Sequence, residues 1–410
     1  MNRSESILLK KTSQLKTTFI QIPGSKSESN RVLILMALSG KYSSITNLST
    51  ARDTRTLRSL LNNNDEVQNV HDAGTTMRFL TAYYAITRQR KVLTGTLRMQ
   101  ERPISILVDA LRQIGCEISY LNKTGYPPIR TSGFNQQKSA FVSIPGNVSS
   151  QYISALIMVA PLLPNGLSIE LTSKTSSKPY IEMTLSLISQ FGVTYNWKNQ
   201  VITIPGQDIA HTNITIEPDW SGASYWFAFV ALANNTGIFL PGLKKQSLQG
   251  DKVICEIMAE LGVKTIFEDS GVRLSKIKAK SEISIDFSDC PDLAQTIAVV
   301  CAAKKIHAKF TGIRSLQIKE TDRIAALQNE LSKINCTFVQ SGDDDYKLVP
   351  GGVLPRKTVL NTYDDHRMAM AFAPLCTVMD VEITEPMVVD KSYPSFWSDV
   401  TKLGVELINI

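Results

Sequence analysis

The sequence contains no Cys-x-x-Cys pair, and its six cysteines, Cys116, Cys255, Cys290, Cys301, Cys336 and Cys376, are scattered, mostly in apolar stretches such as Val299-Val300-Cys301-Ala302. Buried free thiols are therefore expected, rather than a disulfide framework or a thiolate metal site. The four histidines, His71, His211, His307 and His366, lie far apart and give no metal-ligand spacing. No metal and no other cofactor is expected. No apolar run approaches the ~20 residues of a membrane span. The start, Met1-Asn2-Arg3-Ser4-Glu5-Ser6, lacks an apolar signal core and carries an acid early, so a soluble cytoplasmic protein is the expectation. The net charge of +7 is spread without long Lys/Arg blocks. Charge alone fits nucleic acid or small anions, but aromatics at 7% without grouping weigh against a nucleic-acid surface.

What is present is an ordinary globular balance, 43% hydrophobic and 20% charged, over 410 residues. That length exceeds a usual single core and suggests two domains of roughly 200 residues. Helical patterns that close on a residue tolerant of left-handed backbone recur at Gly115, Gly192, Gly262, Asn335 and Gly404. Their spacing of about 70 residues implies about six repeated units. Between these caps lie more apolar helices, expected over residues 30–38, 75–86, 150–162, 223–233, 293–303 and 367–375. Apolar nearly all round, they should be buried, whereas amphipathic cap helices such as 320–333 should lie outside. Strands are expected at 142–144, 201–204 and 282–285.

Polar residues collect at the starts of the buried helices. Pro23-Gly24-Ser25-Lys26-Ser27-Glu28-Ser29-Asn30-Arg31 places two cations and small hydroxyls before an apolar helix. Such a start suits an anion, because free N–H groups and the positive helix end face it. Taken alone it reads equally as a solvated helix start. Gly74-Thr75, Ser149-Ser150-Gln151, Pro291-Asp292 and Asp364-Asp365-His366-Arg367 sit at corresponding places. Together they suggest a cationic cleft for one or two multiply charged anions.

In order and spacing, these motifs resemble the EPSP synthase (3-phosphoshikimate 1-carboxyvinyltransferase) family. The resemblance also takes in Ala73-Gly74-Thr75-Thr76-Met77-Arg78, Glu101-Arg102-Pro103-Ile104, Ser177-Lys178-Pro179-Tyr180, Lys319-Glu320-Thr321-Asp322-Arg323 and Lys391-Ser392-Tyr393-Pro394, and covers essentially the whole chain. It implies an α/β fold of two inverse domains, each of three helix-strand units, with the active site in the interdomain cleft. The implied domains are 20–217 on one side and 1–19 with 218–410 on the other. The implied reaction moves the enolpyruvyl group of phosphoenolpyruvate to the 5-hydroxyl of shikimate 3-phosphate and releases phosphate. Lys26, Ser27, Arg31, Ser149, Ser150, Gln151, Ser177, Tyr180, Asp292 and Lys319 would hold shikimate 3-phosphate. Lys26, Gly74, Thr75, Arg102, Gln151, Arg323, Arg367 and Lys391 would hold phosphoenolpyruvate; arginine suits both its anionic groups through its planar fork. One chain completes the site, so a monomer is expected.

The chemistry needs one proton delivered to a methylene carbon and another removed from a hydroxyl. By resemblance Asp292 would partner the hydroxyl and Glu320 the methylene, with Lys26 able to share proton transfer. Both acids also suit helix capping, which is compatible with catalysis. Arg78 reads as either structural or substrate-binding, His366 as ordering a helix start, and Asp53 as an N-cap without functional signal.

Asp72, Ser315 and Gln317 depart from the family pattern. Asp72 brings a carboxylate beside the implied phosphoenolpyruvate site, where it would turn away or meet a cation such as Lys391. Retention of Gly74 implies sensitivity to glyphosate. The rival enolpyruvyl transferase acting on a UDP-sugar would show a Lys-Asn-Ala type start and a donor-loop cysteine. Ser27-x-Ser29-Asn30-Arg31 and Gln100-Glu101-Arg102 stand there instead. A non-catalytic anion-binding relative is the other alternative.

Overall fold

The computed structural model describes residues 6–40, 44–234 and 236–410; the leaderless start expected at Met1–Glu5 lies outside the described residues. Two compact units divide the chain, one of Ser25–Ser49 with Asp53–Ile216, the other of Met1–Gly24, Thr50–Arg52 and Glu217–Ile410.

The first unit carries helices α1 (Lys26–Ser39), α2 (Arg52–Leu61, with Arg52 grouped in the other unit), α3 (Gly74–Ile86), α4 (Leu97–Gln100), α5 (Ser105–Ile114), α6 (Ser150–Val159) and α7 (Lys178–Gln190). The second carries α8 (Trp220–Leu232), α9 (Ile254–Leu261), α10 (Ala294–Lys304), α11 (Arg323–Ser332), α12 (His366–Phe372) and α13 (Phe396–Lys402). α1, α3, α6, α8, α10 and α12 are the helices expected to be buried. Twelve of the thirteen residues of α8 are buried, because its sequence offers no polar stripe to solvent. The cap helices end as their sequences require. Gly115, Gly192, Gly262, Asn335 and Gly404 have φ of 121, 77, 101, 58 and 85°, which glycine and asparagine tolerate best.

Five four-stranded sheets share one plan among the described residues: a parallel pair at one edge, then two antiparallel pairings. In one, Glu282–Asp286 runs parallel to His307–Thr311, which pairs antiparallel with Asp345–Pro350, itself antiparallel to Cys336–Gln340. A shared plan at a fixed sequence period is what a repeated unit predicts. The first unit adds a two-stranded pair, Ile45–Thr46 with Ile214–Thr215. The last sheet is closed by the start of the chain: Ser6–Leu9 lies antiparallel between Asp380–Thr384 and Leu407–Asn409.

Three helix starts differ from expectation by three residues or more. α1 begins at Lys26 rather than Asn30, capped by Ser25. The helix expected from Glu320 begins at Arg323, because the Asp322 carboxylate accepts from Ile324 N and Ala325 N at 3.1 Å each. α8 begins at Trp220 rather than Ala223, with Asp219 accepting from Gly222 N at 2.9 Å. No helix among the described residues is long and apolar enough to cross a membrane.

Candidate active site

In the first unit the helix starts gather the small and cationic residues. Ser25 caps α1 by accepting from Glu28 N, and Lys26 follows as the first helical residue. Lys26 Nζ meets Asp53 Oδ2 at 3.0 Å. Asp53 was expected only to cap α2; instead it lies inside the first turn of that helix, 3% exposed, and positions the Lys26 ammonium. Arg31, one turn further along, is 2% exposed. It donates to Thr184 Oγ1 (2.7 Å), Ser27 O (2.9 Å), Ser154 Oγ (3.1 Å) and Tyr180 O (3.3 Å), tying α1 to α6 and α7. Burial lowers its pKa to about 10, which leaves the guanidinium charged at neutral pH. Ser27 is placed beside Lys26, and Tyr180 lends its carbonyl to this knot. Ser177 caps α7 in a left-handed conformation (φ 54°) without a side-chain cap bond, a backbone state seldom kept without a reason.

The starts of α3 and α6 are joined by Gln151 Nε2 donating to Thr75 Oγ1 at 3.3 Å. Ser149 caps α6, and Ser150 is buried beside it. α3 begins at Gly74, and the preceding Ala73 makes no side-chain cap bond to this helix start. Arg102 lies against that point. A Cβ on Gly74 would stand 2.7 to 3.0 Å from its guanidinium atoms. Arg102 is 7% exposed, its Nε is buried without a hydrogen-bond acceptor, and it makes no ion pair among the described residues. A guanidinium without an ion-pair partner among the described residues, set against an uncapped helix start, suits an anion. Arg78, by contrast, is structural: its Nη atoms donate to Gly74 O (3.3 Å) and Pro103 O (2.9 Å), holding the two segments together.

The second unit assembles acids around arginines. Arg323, at the first position of α11, is 2% exposed and meets three carboxylates: Asp365 (2.6 Å), Glu320 (2.9 Å) and Asp292 (3.1 Å). Asp365 caps α12 through Arg367 N at 2.8 Å, so one carboxylate sets both the helix start and the Arg323 guanidinium. Arg367 Nη2 meets Asp292 Oδ2 at 2.8 Å. Asp292 stands in the turn Pro291–Leu293 before α10 and caps nothing with its side chain. Burial opposes its ionisation, but Arg367, Lys319 and Arg323 outweigh that and hold its carboxyl well below the usual range. Lys391 is 1% exposed, with Nζ 3.8 Å from Glu320 Oε1. Lys319 is half-buried, and Ser315 and Gln317 are exposed on the turn Arg314–Ile318. His366 is buried at the first position of α12.

The sequence matches the family profile described as EPSP synthase (3-phosphoshikimate 1-carboxyvinyltransferase) over residues 9–63 and 55–400. The chain belongs to the EPSP synthase family. A 3-phosphoshikimate 1-carboxyvinyltransferase of Bacteroides fragilis (strain YCH46) is 45% identical over 404 residues, 97% of each chain. One of Pseudoalteromonas atlantica is 33% identical over 435 residues, covering 98% of this chain and 100% of the relative. Among solved structures, an EPSP synthase from Acinetobacter baumannii superposes with a TM-score of 0.77 at 18% identity, over 98% of this chain and 99% of that one. This likeness is one of fold: both are two-domain α/β proteins. Within the family frame, Asp53 reads from sequence only as a cap, and Asp365, though part of the Asp364-Asp365-His366-Arg367 motif, has no role of its own there; in the structure each positions a cation. Each looks like a helix-start acid, and only tertiary structure shows which cation it holds.

Proposed function

We propose that the protein transfers the enolpyruvyl group of phosphoenolpyruvate to the 5-hydroxyl of shikimate 3-phosphate, giving 5-enolpyruvylshikimate 3-phosphate and phosphate. The observation that carries this reading is the Arg102 guanidinium at the start of α3, its Nε buried without an acceptor among the described residues, in a chain matched to the EPSP synthase family over nearly its whole length. Arg102, the backbone N–H groups at Gly74 and Thr75, Gln151, Lys26, Arg323, Arg367 and Lys391 are assigned to phosphoenolpyruvate. Lys26, Ser27, Arg31, Ser149, Ser150, Gln151, Ser177, Tyr180, Asp292 and Lys319 are assigned to shikimate 3-phosphate. The domains are assigned as 20–217 and 1–19 with 218–410; the pairing of Ser6–Leu9 with Asp380–Thr384 supports joining the two ends, while the compact units put residues 20–24, 50–52 and 217 with the second. One chain supplies every assigned residue, which suits a monomer, and six free cysteines suit the reducing cytoplasm.

The 5-hydroxyl oxygen bonds to the central carbon of the enol while its proton leaves and the methylene gains one. Phosphate then departs and a methyl proton is lost, restoring the double bond. Asp292 is the acceptor for the hydroxyl proton. Its strongly ionised state makes it a weak base until an anion draws Arg367 away; its basicity then rises as substrate arrives. Glu320 is assigned to the methylene; its carboxylate lies 3.8 Å from Lys391 Nζ and 2.9 Å from Arg323 Nη2.

Phosphate release from phosphoenolpyruvate, measured with and without shikimate 3-phosphate, tests the assignment. Release is expected only with shikimate 3-phosphate, and Glu320→Gln is expected to lower kcat by about 10²- to 10⁴-fold. Release with a UDP-sugar instead would move the chain to the other enolpyruvyl transfer, and full activity in Glu320→Gln would remove that residue from the chemistry. Gly74→Ala gives a second check. Its new methyl pushes the flexible end of Arg102 aside, so the KM for phosphoenolpyruvate should rise several-fold and glyphosate inhibition should weaken. An unchanged inhibition constant would contradict the assignment of Gly74 and Arg102 to that anion.

A further inference from the structure

Among the buried carboxylates of the second unit that the groups above leave unused, Asp251 has an oxygen without a hydrogen-bond partner among the described residues. Asp251, in the turn Gly250–Val253, is 3% exposed. Ser221 Oγ donates to its Oδ2, and its Oδ1 is buried with no hydrogen-bond partner among the described residues. Ser221 and Tyr225 stand four residues apart on α8 and so share one face of it. Tyr225 accepts from Arg367 Nη1 at 3.4 Å. One helix face thus presents a hydroxyl to Asp251 and another to Arg367. The charged and titratable groups around Asp251 are Asp292 before α10, Arg367 on α12, Asp219 at the start of α8 and the Cys290 thiol. Burial, followed by repulsion from Asp292, pushes the Asp251 carboxyl up to about 7, against the pull of Arg367 and Ser221.

We propose that Asp251 is a positioning residue for Arg367: ionised, it competes with Asp292 for that guanidinium and adds negative charge beside it; protonated, it leaves Arg367 to the substrate anion. The inference rests on the reading of Arg367 as a phosphoenolpyruvate ligand. It goes beyond that reading by making the strength of the ligand depend on a group that touches no substrate.

The test compares the KM for phosphoenolpyruvate from pH 6 to 8.5, at saturating shikimate 3-phosphate, in wild type, Asp251→Asn and Ser221→Ala. The ratio of wild-type to Asp251→Asn KM should grow by about threefold to tenfold as pH rises, with little change in kcat. Dividing the two profiles removes the titration of the substrate itself. Ser221→Ala removes the bond that favours the ionised form and should displace the wild-type rise to higher pH. Unfolding midpoints without substrate give a readout independent of turnover. Because the folded-state pKa lies above the unfolded one, Asp251 costs wild type stability as pH climbs from about 4 toward 7. The Asp251→Asn midpoint should therefore pull ahead over that window and then keep a constant lead. Parallel KM profiles in enzymes that turn over would overturn the proposal. If Asp251→Asn does not fold, an undisplaced Ser221→Ala profile does the same. Wild type with no shikimate 3-phosphate-dependent release at any pH would instead bring down the functional reading.

Discussion

Arg102→Leu should abolish most activity while making the ligand-free protein more stable. The two expectations have one cause. Its Nε is buried without an acceptor, and no carboxylate pairs with the guanidinium among the described residues, so the unliganded fold carries a cost of about 1 to 3 kcal/mol that leucine would relieve. The same unpaired donors are what an incoming anion uses. Two charge-assisted hydrogen bonds of about 1.5 to 3 kcal/mol each correspond to a fall of roughly 10² to 10⁴ in kcat/KM for phosphoenolpyruvate. Urea unfolding and steady-state phosphate release on the same preparation measure both. A variant that unfolds earlier than wild type yet turns over normally would make Arg102 a packing residue and leave the anion site elsewhere.

Asp365→Ala should strongly destabilise the second unit. Asp365 is fully buried and holds Arg323 through two contacts, at 2.6 and 3.3 Å. Removing one partner of a buried pair leaves the other charge uncompensated, typically at about 3 to 5 kcal/mol. Loss of the α12 cap adds about 1 kcal/mol. Asp292 and Glu320 still face Arg323 and will offset part of this, so a net loss near the lower figure is expected in urea unfolding. Asp365→Asn keeps an acceptor for Arg367 N and should lose less. A loss under about 1 kcal/mol in the alanine variant would show that Asp292 and Glu320 suffice to hold Arg323.

Much of the architecture was legible because it repeats. A left-handed cap at a fixed period and helices apolar on every side are local signals, and the cap residues and buried helices lie where those signals place them. The sheets were not legible. Which strand neighbours which is settled by contacts far apart in sequence, and nothing within Ser6–Leu9 announces partners almost four hundred residues away. Among the functional residues, types recurring at helix starts stood out. Asp53 did not, and Asp365 stood out only with its motif, since an acid that caps a helix and an acid that aims a cation have the same local sequence. Glu320 was misplaced onto a helix for a related reason: Asp322, two residues later, is an equally good cap and takes the role.

The closing of the last sheet by Ser6–Leu9 also fixes an order of assembly. Residues 25–216 hold one unit in nearly unbroken sequence and can fold while synthesis continues. Ser6–Leu9 must meanwhile wait with both edges open, because its neighbours Asp380–Thr384 and Leu407–Asn409 are made long after it. Once they arrive, Ile410 N donates to Ser6 O at 3.0 Å, and the described ends of the chain meet like the clasp of a ring.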